Sequence, residues 1–167
     1  MTQVVSEPWL RGDLQEVHPL VRPAFFSFAQ VREDLDKHVS VLSDEQVWRA
    51  VSGTSVGFHV KHLAGSVDRL TTYLSGEMLT DAQLEALRNE SSGTESVEEL
   101  LGFVDEALRL GEQRLLAVDP ATAYEVRTVG RKRLLTSVLG LIVHVCEHTQ
   151  RHLGQAITTA KFVRDSG

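Results

Sequence analysis

Apolar residues recur every three or four positions along four stretches of this 167-residue chain. That period commits the chain to amphipathic helices whose apolar stripes must be buried against one another. The first helix begins near His18 to Pro23 and carries FFSFAQVREDLDKHVSVL, with Phe25, Phe28, Val31, Leu35 and Val39 on one face. The second runs from around Thr54 through VGFHVKHLAGSVDRLTTYL to Ser75 and Gly76, a plausible helix stop. The third, VEELLGFVDEALRLGEQRLLAV, opens on Ser96 with Glu99 three residues on, a capping box. It closes at Asp119-Pro120, because the residue before proline is pushed out of helical geometry. The fourth spans Leu134 to Lys161. Ser43 with Gln46 and Thr80 with Gln83 form two further capping boxes and predict short connecting helices, while Ser91, Ser92 and Gly93 mark a loop. YEVRTVG alternates enough to be extended, with Gly130 as its turn. The predicted fold class is all-α, a four-helix bundle with short connecting helices in a single domain over residues 1–167.

Composition narrows the function. Hydrophobic residues make up 42 % and charged residues 24 %, as in an ordinary globular protein and too apolar for a disordered one. No apolar run approaches the length of a membrane span, and MTQVVSEPWLRGD lacks the basic start and apolar segment of a secretion signal. A cytoplasmic protein without a membrane partner is expected. Cys146 is the single cysteine, which precludes an intramolecular disulfide and any thiolate-rich metal site. A formal charge of −6 supplies no basic footprint for nucleic acid. The stretch from Glu77 to Glu112 is acidic, whereas Arg127, Arg131, Lys132 and Arg133 cluster just before the fourth helix. That basic cluster reads either as a solvated loop or as a mouth attracting an anionic substrate.

The fourth helix carries HVCEHTQRHLGQ, with His144, His148 and His152 at a strict spacing of four. Histidines four apart lie one turn above another on one face, the way a helix offers two nitrogens to a single cation. All three cannot share one ion, because the outer two stand about 12 Å apart along the axis. At about 100° per residue, with His144 at the origin, the apolar stripe that includes Leu134, Leu135, Val138, Leu141 and Val145 centres near 140°; His152 falls near 80° and His148 near 40°. The pair that faces the interior is therefore His148 and His152, with Gln155 on the same side as a hydrogen-bond partner for a ligand. A third ligand has to come from another helix, and the second offers His59 and His62. On the same arithmetic His59 lies closer to its helix's apolar stripe. His144 to His148 also matches H-x-x-E-H, a zinc protease signature with Glu147 as base, but such proteases are far larger and the pattern selects the histidine least directed at the core. Glu147 is better read as a surface residue orienting a neighbour.

GFHVKHLAGSVDRLTTYL followed by HVCEHTQRHLGQ resembles the DinB/YfiT-like superfamily, from the first helix to the H-x-x-x-H-x-G-Q ending. The resemblance implies a four-helix bundle of DinB/YfiT type with a trihistidine metal site. It places the ligands at His62, in the His62-Leu63-Ala64 step, and at His148 and His152. On the second helix it thus favours His62 where angular arithmetic favoured His59, and His62 is adopted. It further implies a divalent cation, zinc or nickel, a low-molecular-weight thiol such as bacillithiol or mycothiol in some members, and frequent homodimers.

Three neutral imidazoles leave a cation its full charge and at least one open position, which suits catalysis better than a closed structural site. The expected reaction is attack by a metal-activated thiolate on a small electrophile, with Arg127, Arg131 and Arg133 assigned to a carboxylate of the thiol cofactor. One alternative is metal-dependent hydrolysis, which needs a general base where neither histidine face carries an obvious carboxylate. The other is a non-catalytic metal- or small-ligand-binding stress protein. Phe25, Phe26, Phe28, Phe58 and Phe103 are expected in the core, Tyr73 is a candidate cavity wall, and Cys146 is expected to be structural.

Overall fold

A computed structural model describes residues 6–165. Six helices form in chain order: α1 Arg22–His38, α2 Asp44–Trp48, α3 Val56–Leu74, α4 Asp81–Arg88, α5 Val97–Leu116 and α6 Val138–Asp165. Two short strands, β1 Val126–Val129 and β2 Leu134–Ser137, make an antiparallel hairpin between α5 and α6. The chain is thus mostly helical, as the apolar period requires. None of the described helices is long and apolar enough to cross a membrane.

The helix ends follow local chemistry. Ser43, Thr80 and Ser96 each accept from the third backbone N–H of the helix they open, and Gln46, Gln83 and Glu99 reach back to the cap N–H, completing three capping boxes. Ser55 opens α3 by accepting from the Phe58 N–H at 3.1 Å. At its other end Gly76 takes φ +80°, the Gly76 N–H reaches Tyr73 O at 3.0 Å, and the Glu77 N–H reaches Thr72 O at 3.2 Å. This is a Schellman stop, which needs a residue free to enter the left-handed region.

α3 occupies the centre. It packs against α6 on one side and α5 on the other, while α1 packs against α6 and less extensively against α5. Fourteen of its 19 residues are buried. Phe28, Leu35, Leu63, Leu100, Leu108 and Leu141 are among the fully buried side chains of the single core. At Gly111 a Cβ would stand 2.9 Å from Val67 Cγ1, so the missing side chain lets α5 approach α3 closely. A buried polar tie joins α1 to α6, with Ser27 Oγ 2.8 Å from Thr149 Oγ1.

The fourth helix starts at Val138, later than its apolar stripe predicts. Leu134 to Ser137 are not its first turn but β2, paired Val126↔Ser137 through Val129↔Leu134. A short apolar run fits either period, and here the backbone groups of β1 supply the partner that decides it. Leu134 and Leu135 are therefore exposed instead of lying on the helix's buried stripe. The helix continues past Lys161 to Asp165 and buries Val163. Phe103, expected in the core, is half exposed on α5.

Because Ser96 closes a complete capping box at α5, Ser96→Ala is expected to lower the unfolding free energy by about 1 kcal/mol. Urea denaturation followed by circular dichroism checks this, through a lower midpoint with an unchanged slope.

Candidate metal centre

Side-by-side packing of α3 and α6 brings four imidazoles into contact. His62 Nε2 lies 3.0 Å from His148 Nε2. The His152 ring stands 4.3 Å from that of His62 and 4.7 Å from that of His148, centroid to centroid. One ligand atom from each of His62, His148 and His152 falls within 4.8 Å of the others, and all three residues are half-buried. Nitrogens sharing a cation at ~2.0–2.1 Å stand about 3.0–3.4 Å apart, so the closest pair already has that spacing. The donor set therefore fits a divalent ion.

His59 takes a different place. Its Nδ1 lies 3.3 Å from His152 Nδ1 and its Nε2 3.2 Å from Thr54 Oγ1. The angular arithmetic was right that His59 is the more buried, at 5 % exposure. The α3 histidine that groups with both His148 and His152 is nonetheless His62, which His148 meets directly. His144 is half exposed and forms with Glu147 and His148 a second group close enough to hold an ion. In that group Glu147 is engaged by Arg151, whose Nε donates to it at 2.7 Å. Gln155 is exposed and takes no part in the hydrogen bonds of the cluster.

Two contributors escaped the sequence reading. Glu90, from the connection after α4, accepts from His62 Nδ1 at 2.6 Å through one carboxylate oxygen, while the other accepts from Arg69 Nη1 at 2.6 Å. Both side chains are buried. A carboxylate does therefore reach a histidine face, delivered by a loop that carries no period. The available signal was Gly65, an isolated glycine inside a helical pattern, which marks close approach: a Cβ there would stand 2.4 Å from Glu90 Oε1 and 2.5 Å from Arg69 Nη1. Phe58, expected in the core, stacks on His62 with centroids 5.6 Å apart and planes at 23°. It precedes His62 by four residues, the same-face spacing that could have revealed it.

Comparison with protein families matches residues 27–156 to the DinB superfamily. The chain belongs to the DinB superfamily. No curated protein matches it. In this DinB domain a cleft of about 200 Å³ beside the histidines is lined by His62, His148, His144, Tyr73, Val129 and Arg69, among others. Tyr73 is thus a wall of that cleft. Arg127 and Arg133 line a separate cleft of about 310 Å³, which also includes Tyr73 and Glu77. Arg127 is tied by its Nε to Leu74 O at 3.0 Å and by Nη1 to Glu125 at 3.2 Å. Arg131 is exposed on the hairpin turn. The structure does not bring the three arginines onto the histidine cleft itself.

Burial, reinforced by the neighbouring His62 ring, pushes His148 and His152 down to about 4. Burial likewise lowers His59 and pushes the Cys146 thiol up to about 11. The folded values of His148 and His152 lie below the ordinary imidazole value of 6.5, so the unfolded chain takes up protons first as the pH falls. Stability from these neutral rings is whole above about 6.5 and is lost progressively toward about 4. The urea midpoint of metal-free protein is expected to drop as pH is lowered through this window, and to drop less in a His148→Asn/His152→Asn double variant.

Proposed function

We propose that this chain is a four-helix bundle of DinB/YfiT type that holds one zinc or nickel ion through His62, His148 and His152. It works as a metal-dependent thiol transferase on small electrophiles. The observation that carries the reading is the convergence of those three imidazoles from α3 and α6 within 4.8 Å. A divalent cation there supplies Lewis acidity, which lowers the pKa of a thiol and yields a nucleophile near neutral pH.

The chain's own residues set the conditions for that chemistry. Above about 4 the His148 and His152 rings are neutral, so each offers one nitrogen lone pair at neutral pH while keeping a single N–H. Uncharged ligands leave the positive charge of the cation undiminished. The nucleophilic sulfur has to come from outside, because the only cysteine, Cys146, is half-buried with its thiol at about 11. A low-molecular-weight thiol of the bacillithiol or mycothiol kind meets this need. Arg127 and Arg133 hold its carboxylate in the cleft that shares Tyr73 with the histidine cleft. Arg131 adds positive charge on the nearby turn. Hydrolysis fits less well, since both oxygens of Glu90, the carboxylate on His62, are already engaged by Arg69 and His62 and leave no free base.

Conjugation assays with several biological thiols and a chromogenic electrophile on metal-loaded protein test the reading. Wild-type protein is expected to consume one of the thiols, with the rate falling at least about 100-fold in His152→Ala. Equal rates in the two proteins contradict it, and metal binding without turnover points instead to a non-catalytic binding protein.

A further inference from the structure

Glu90 is a buried carboxylate with two fixed partners, one of them a histidine of the cluster. Its Oε1 accepts from Arg69 Nη1 and its Oε2 from His62 Nδ1, each at 2.6 Å, and Glu90 is 4 % exposed. Arg69 is steadied in turn by a bond from Nη2 to Ser66 Oγ at 3.3 Å. The pair fills the space above Gly65, where any Cβ would collide with both groups. A carboxylate only accepts, so the partner assigns the ring proton of neutral His62 to Nδ1. The Nε2 lone pair is then bare, and Nε2 is the atom that meets His148 at 3.0 Å.

We propose that Glu90, held by Arg69 and by the absence of a side chain at Gly65, is a positioning residue for the metal centre. It accepts a hydrogen bond from the Nδ1–H of His62, fixes the ring plane, and aims Nε2 at the point where His148 and His152 converge. The inference rests on the metal reading above. A ligand imidazole whose other nitrogen is held this way is both oriented and made a better donor.

Glu90→Gln separates this role from simple packing, because glutamine keeps the shape but has one acceptor where glutamate has two. Its oxygen is required by Arg69, which only donates, so its NH₂ faces His62 and forces the ring proton to Nε2. Nitrogen NMR of the imidazoles in metal-free protein at about pH 8, where ordinary imidazoles are neutral, reads this directly. His62 is expected to carry its proton on Nδ1 in the wild type and on Nε2 in Glu90→Gln. Zinc affinity by chelator competition is expected to fall about 10–100-fold in Glu90→Gln and to recover in part in Glu90→Asp. Gly65→Ala, which removes no polar group but whose Cβ displaces the ends of Glu90 and Arg69, is expected to weaken zinc in the same direction while remaining helical. An unchanged tautomer together with unchanged zinc affinity in both Glu90→Gln and Gly65→Ala overturns the role of Glu90 alone. A wild-type protein that binds no zinc overturns the metal reading and this role with it.

Discussion

The fold is organised around the packing of α6 along α3, the most extensive helix–helix contact among the described residues. Valine and leucine side chains of both helices seal the seam, and along its edge His62 meets His148 while His59 meets His152. Imidazoles removed from water at this density lose hydration that they recover only partly from one another. Burial therefore keeps His148 and His152 uncharged well below neutral pH. The same burial leaves the Nδ1 of His148 without a hydrogen-bond partner among the described residues. A seam that gathers unprotonated nitrogens in this way is poorly suited to stabilising an apolar core and well suited to receiving a cation.

The surrounding charges follow from that arrangement. The chain carries a net charge of −6, yet the buried anion beside the cluster, Glu90, is matched by a buried Arg69. A buried ion pair contributes little net stability compared with apolar packing. Its presence against α3 is better explained by what it does to His62. Cys146, on the same helix as His148 and His152, is held in its thiol form by burial.

Much of this was legible in the sequence, for physical reasons that differ by element. Helix starts at Ser43, Thr80 and Ser96 were readable because a capping box is a local bonding pattern, complete within four residues. The choice of His148 and His152 over His144 followed from helical rotation alone, and His144 is indeed the exposed member. Rotation could not choose between His59 and His62, since that depends on where α6 crosses α3, and the resemblance was needed to favour His62. Leu134 and Leu135 deceived because two leucines satisfy a helical stripe and a strand equally well, and the pairing with β1 that decides between them is non-local. Glu90 was invisible for the same reason in stronger form, as it reaches His62 from 28 residues away through a connection without periodicity.

The most direct test of the account is the stoichiometry of zinc binding to untagged protein, measured by calorimetry for the wild type and for single alanine variants of the five histidines around the seam. One ion per chain is expected, lost in His62→Ala, His148→Ala and His152→Ala and retained in His144→Ala, with His59→Ala weakened at most. Retention of full binding in His62→Ala, or its loss in His144→Ala, would contradict the convergence of α3 and α6 on a single cation.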